Sequence, residues 1–63
     1  MAKKKIGLED KDGHWHEATY YPDSREVYLK GSYVGRASTV DDAITVVRQI
    51  LNKQVKRIEI SDA

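Results

Sequence analysis

Ser38-Thr39-Val40-Asp41-Asp42-Ala43-Ile44-Thr45-Val46-Val47-Arg48-Gln49-Ile50-Leu51-Asn52 is the stretch where the chain changes its hydrophobic period. Val40, Ala43, Ile44, Val47, Ile50 and Leu51 recur at helical spacing, while Asp41, Thr45, Arg48, Gln49 and Asn52 face away. Ser38 or Thr39 serves as N-cap, because a side-chain oxygen there accepts from a free amide of the first turn. Asp41 and Asp42 complement the positive end of the helix. Asn52 or the following Lys53-Gln54 ends it, with Arg48 and Lys53 suited to its carboxyl end. One amphipathic helix is predicted, and its apolar stripe must pack on a sheet.

Upstream, the period is two. Ile6 and Leu8 alternate with Lys5, Gly7 and Glu9, and Asp10-Lys11-Asp12-Gly13 supplies turn chemistry with a glycine where φ > 0 is needed. His14 to Tyr21 places Trp15, Glu17, Thr19 and Tyr21 on one strand face and His14, His16, Ala18 and Tyr20 on the other. Pro22-Asp23-Ser24-Arg25 turns the chain again, and Glu26 to Lys30 sets Val27 and Leu29 opposite Glu26, Tyr28 and Lys30. Gly31-Ser32 is a bulge or a break, so Tyr33 to Ala37 either continues the third strand or forms its own. Downstream of the helix, Lys56 to Ser61 resumes alternation through Ile58 and Ile60. The expected fold is α+β, a small antiparallel sheet with one helix on one face in the order β-β-β-α-β. The other face is at least partly open to solvent. Residues 1–63 form a single domain, with 1–4 and 62–63 expected to fray.

Sixty-three residues leave room for one core; a domain of this size buries only about 60% of the surface its unfolded chain exposes, so few side chains are free to build a catalytic cleft. No Ser-His or paired-carboxylate constellation stands out, and a non-enzymatic chain is expected. Without cysteine there is neither a disulfide framework nor a thiolate cage, which favours the cytoplasm. No apolar run approaches the roughly 20 residues of a membrane span. His14 and His16 share a strand face, but no third donor is evident and structural zinc takes four ligands, so no metal or other cofactor is expected. Glu9, Asp10 and Asp12 read as a solvated hairpin loop without calcium-loop spacing.

Eleven basic against ten acidic residues give a net charge of +1, too even to dictate a partner. Lys3, Lys4 and Lys5 open the chain and Lys53, Lys56 and Arg57 fall near its end, two basic clusters that a fold is free to bring together. The strands are rich in aromatics. Trp15, Tyr20, Tyr28 and Tyr33, with Lys30 and Arg36 among them, are the candidate binding residues; Tyr21 belongs to the same aromatic set.

Trp15-His16-Glu17-Ala18-Thr19-Tyr20-Tyr21, a polar turn, Glu26-Val27-Tyr28-Leu29-Lys30-Gly31 and then Ser38-Thr39-Val40-Asp41-Asp42-Ala43-Ile44 resemble, in order, the amino-terminal arm-binding domains of phage tyrosine recombinases and the related AP2-type domains. The resemblance covers roughly residues 13–52. It implies a three-stranded sheet in the DNA major groove with a helix behind it, His14, His16, Arg25, Tyr28 and Lys30 facing the bases. Scarce arginine, and Glu17 and Glu26 near the phosphates, depart from that pattern.

Two functions follow as expectations. The first is a protein-binding regulator or adaptor, or a self-associating domain, that uses an aromatic sheet face or an edge strand. The alternative is a DNA-binding domain reading through its sheet, with Lys3, Lys4, Lys5, Lys53 and Arg57 on phosphates. Neither a membrane nor a small-molecule substrate is expected as a partner.

Overall fold

The computed structural model describes residues 3–62. Five strands and one helix follow in the order β1 (Lys4–Asp10), β2 (Trp15–Tyr21), β3 (Glu26–Leu29), β4 (Ser32–Arg36), α1 (Val40–Leu51) and β5 (Val55–Asp62). The sheet is antiparallel throughout, in the order β4-β3-β2-β1-β5. Four strands therefore form a meander, and α1 carries the chain from one edge of the sheet across to the other.

The expected class and the helix before the last strand are present, with one strand more than expected. Ser32–Arg36 is a strand of its own because Lys30 and Gly31 both take positive φ, 52° and 82°. Leu29 then pairs directly with Ser32, a two-residue hairpin turn of the I′ kind. A bulge between Val27 and Tyr28 in this ladder sets Tyr28 against Tyr33 and Val27 against Gly35. Gly35 lets the helix come close: a Cβ there would lie 3.2 Å from Val46 Cγ1.

Thr39 is the N-cap, its Oγ1 accepting the Asp42 N–H at 3.1 Å, and Asn52 closes the helix in the left-handed region with φ 53°. Ala43 and Val47 are the buried residues of α1. They meet Ile6, Leu8, Ala18, Tyr20, Val27 and Ala37 in the core, with Leu29, Val34, Val40, Ile44, Leu51 and Val55 packed around them. Strand alternation puts Ile6, Leu8, His16, Ala18, Tyr20 and Val27 on the helix side, and Trp15, Glu17, Thr19, Tyr21 and Tyr28 on the outer side.

The helix packs chiefly on β2, β3 and β4. Ile58 and Ile60 pair with Leu8 and Ile6 and so share the helix side, yet they stay 39% and 46% exposed. Ile50, assigned to the apolar stripe from its spacing, is 52% exposed, since it sits at the margin of that stripe in the last turn. Of the ends expected to fray, residues 1, 2 and 63 lie outside the described residues, while Lys4 pairs with Tyr20 and Asp62 across the sheet and its ammonium meets the Asp62 carboxylate.

A lysine in the left-handed region is strained in a way asparagine is not, and Asn-Gly is the preferred pair for this turn. Lys30→Asn should therefore stabilise the domain by about 0.5–1 kcal/mol, a rise of a few degrees in melting temperature. Thermal unfolding followed by circular dichroism checks this.

Candidate functional site: an open aromatic sheet face

The outer face of the sheet has no covering element among the described residues, and two aromatic groups lie on it. At one end, Tyr21, Tyr28 and Tyr33 on three successive strands pack edge to face: the Tyr21–Tyr28 centroids are 5.4 Å apart at 87°, and Tyr28–Tyr33 are 5.8 Å apart at 73°. Such T-shaped pairs set a positive ring edge against a negative ring face, which holds the rings in place. Thr19, Tyr21, Asp23, Ser24, Glu26, Tyr28 and Gly31 line a groove of about 550 Å³ beside them. Ser24 donates to Glu26 Oε1 at 3.1 Å and the Tyr28 hydroxyl lies 3.5 Å from the same oxygen. The Glu26 carboxylate, with partial burial, raises the Tyr28 hydroxyl above the ordinary phenol value.

At the other end, about 20 Å along β2, Trp15 lies across Gly7. A Cβ at Gly7 would fall 2.1 Å from the indole, so the missing side chain is what lets the ring lie flat. The Arg57 guanidinium sits 5.6 Å from the ring centroid and also approaches Glu9 at 3.8 Å and Glu59 at 3.4 Å. Trp15 keeps 42% of its surface exposed.

Of the candidate binding residues, Trp15, Tyr28 and Tyr33 thus lie on the open face, and Tyr21 joins them. Tyr20 does not. It is 3% exposed and its hydroxyl donates to the Ala37 carbonyl at 2.8 Å, a core ring whose polar end is satisfied inside. Lys30 occupies the exposed β3–β4 turn, and Arg36 pairs in register with Glu26 on the edge strand while lining, with Arg25, a groove at the start of α1. The two basic clusters do not meet. Antiparallel pairing sets Lys4 against Asp62 and Glu9 against Arg57, so Lys3, Lys4 and Lys5 lie at one end of the β1–β5 ladder and Lys53, Lys56 and Arg57 at the other. Lys4, Lys53, Lys56 and Arg57 each lie beside carboxylates.

The tip of the acidic hairpin, Lys11 to His14, is exposed as expected, but Asp10 at its base is not. Asp10 is fully buried. Its Oδ1 accepts the backbone N–H groups of Asp12 and His14 at 2.9 and 3.0 Å, and its Oδ2 accepts His16 Nε2–H at 2.9 Å. His16 therefore turns toward the helix side and is absent from the outer face, contrary to what the DNA resemblance implies for it. Asp10 also faces His14 Nδ1 at 3.8 Å, and Lys53 Nζ at 3.9 Å supplies the counter-charge; the donors that the fold brings together are Asp10, Asp12 and His14, not the two imidazoles that spacing places on one strand face. The Asp10 carboxylate thus ties together the β1–β2 loop, while the Lys11 N–H donates to the Gln54 carbonyl at 3.0 Å and draws in the α1–β5 loop.

The chain matches no family model, no curated protein and no solved structure. No helix among the described residues is long and apolar enough to cross a membrane.

The His16 hydrogen bond, aided by the two amides and Lys53 and opposed by burial, holds the Asp10 carboxyl far below its ordinary value. A depressed carboxyl stabilises the fold fully above its unfolded value of about 4 and loses that contribution as pH falls from there toward the depressed value. Urea unfolding between pH 2 and 7 should show a steep acid limb in the parent chain that is flattened in Asp10→Asn; parallel limbs would contradict this account of Asp10.

Proposed function

We propose that this chain is a non-enzymatic binding module that docks a protein partner on its open sheet face, with the Tyr21–Tyr28–Tyr33 cluster and Trp15 as the anchors. The observation that carries this is the tyrosine-lined groove. Its rings are already held by one another, so ordering them on binding costs little entropy, and large aromatic side chains dominate the energetics of protein interfaces. Asp23 and Glu26 line the groove and no basic residue does. A partner segment carrying arginine or lysine is the complement, its cation meeting both the carboxylates and the ring faces.

Charge favours protein over duplex DNA here. The outer side of the sheet is not basic: Glu9, Glu17, Glu26 and Glu59 outnumber Lys5, Arg36 and Arg57 on it, and Arg57 and Arg36 stand opposite Glu9 and Glu26, whereas a DNA reader needs unpaired cations toward phosphate. The basic residues suited to phosphate lie at opposite ends of the β1–β5 ladder. An enzymatic role finds little support, because the one buried carboxylate among the described residues is committed to loop amides and His16.

Peptides selected from a displayed random library for binding to the chain should be enriched in arginine and lysine. They should lose about 30-fold in affinity, equivalent to about 2 kcal/mol, on Tyr28→Ala and be unaffected by Gln49→Ala on the helix. Selected binders indifferent to Tyr28 and Trp15, or salt-sensitive amide shifts over residues 14–30 on titrating a mixed-sequence DNA duplex, would overturn the proposal.

A further inference from the structure

We propose that β5 is a self-pairing edge, joining the same strand of a second copy antiparallel across a two-fold axis that runs perpendicular to the sheet between the paired Ile58 residues. Two five-stranded sheets would thereby become one continuous sheet.

The two edges of the sheet differ. β4 has five residues and its ladder is broken by a bulge, features that blunt an edge against pairing. β5 has eight residues, the most of any strand, and its single irregularity lies at the beginning, between Glu9 and Asp10 of its partner. Its outer row of backbone N–H and C=O groups meets no other strand among the described residues. Ile58 and Ile60 stand half-exposed on the helix side of that same strand. Isoleucine, a strongly apolar β-branched residue, is a poor guard for an edge and a good cross-strand partner.

Charge selects a second copy as the occupant and selects the register. Centring the pairing on Ile58 sets Arg57 of each copy opposite Glu59 of the other, twice over by symmetry, with Ile58 against Ile58 and residues 55–61 paired. A centre on Glu59 would place two carboxylates face to face, and a centre on Arg57 two guanidinium groups, both unfavourable for residues directly opposite. A strand whose own charges complement themselves in one antiparallel register fits the self-complementarity that a two-fold interface requires. With the axis perpendicular to the sheet, both helices lie on one side and both aromatic faces on the other. The dimer would then present two tyrosine grooves to one partner; the pairing edge adjoins the docking face at Arg57, which stacks on Trp15, while the tyrosine groove lies toward the opposite edge of the sheet.

Sedimentation velocity across a concentration series, with each variant checked for folding by circular dichroism, tests the pairing. The parent chain should dimerise, and Arg57→Glu and Glu59→Arg should each weaken the dimer at least about tenfold; both side chains are 60% exposed, and the cost of setting a carboxylate at position 57 against Glu9 and losing the Trp15 stacking is read by the circular dichroism control. Mixing the two variants should restore a one-to-one dimer, because a strand that is acidic at both positions then faces one that is basic at both. A parent chain that stays monomeric at about 1 mM, variants that dimerise as well as the parent, or a mixture that does not re-associate would each overturn the inference. Peptide binding at Tyr28 is read separately, so either proposal can fail alone.

Discussion

A single helix must cover a five-stranded sheet, and most of what the molecule presents to its surroundings follows from that mismatch. Twelve residues make a helix about 18 Å long and roughly 10–12 Å across, whereas five strands about 4.8 Å apart span nearly twice that width. The helix therefore seals only part of one sheet face. Its seal is good where it exists: Ile6, Leu8, Val27, Ala43 and Val47 have no exposed surface. Beyond it, Ile58 and Ile60 on β5 remain part-exposed, and the whole opposite face is left for side chains that serve something other than the core.

A chain this short has little apolar surface with which to hold its loops, and a buried carboxylate takes part of that role. An isolated buried charge is costly, but Asp10 is surrounded by donors: two amides of its own hairpin, the His16 ring and the Lys53 ammonium nearby. The position of β2 relative to β1, and the return of the chain from the helix into β5, both converge on this point. The outer face inherits its order from the same framework, since Trp15 sits between the two imidazole-bearing residues and lies over Gly7 of the neighbouring strand.

Much of this is legible in the residues, and what is hidden has identifiable causes. The helix and its caps are local, so Thr39, Asp42 and Asn52 announce them. Alternation places Trp15 and Tyr21 together and Ala18 and Tyr20 together, but it does not say which set faces the helix, and Tyr20 is thereby mistaken for a binding ring. The Lys30-Gly31 turn is obscured because lysine is not a signal for positive φ, and β4 is left undecided with it. Asp10 looks like any loop carboxylate until β5 and Lys53 fold over the hairpin, although an aspartate two and four residues before the amides it accepts is a recognisable local cue. The separation of the basic clusters depends on β5 running antiparallel to β1, a property of strand order that neither cluster encodes.

An open sheet face requires the outer rings to meet solvent while Tyr20 does not. Paramagnetic relaxation of the ring protons by a soluble, neutral gadolinium chelate, measured on dilute labelled protein, reads this ring by ring. Strong broadening of Trp15, Tyr28 and Tyr33 with Tyr20 protected is the predicted result. Protection of Tyr28 and Tyr33 to the same degree as Tyr20 would mean that something covers the face, and would contradict the one-helix, open-sheet account.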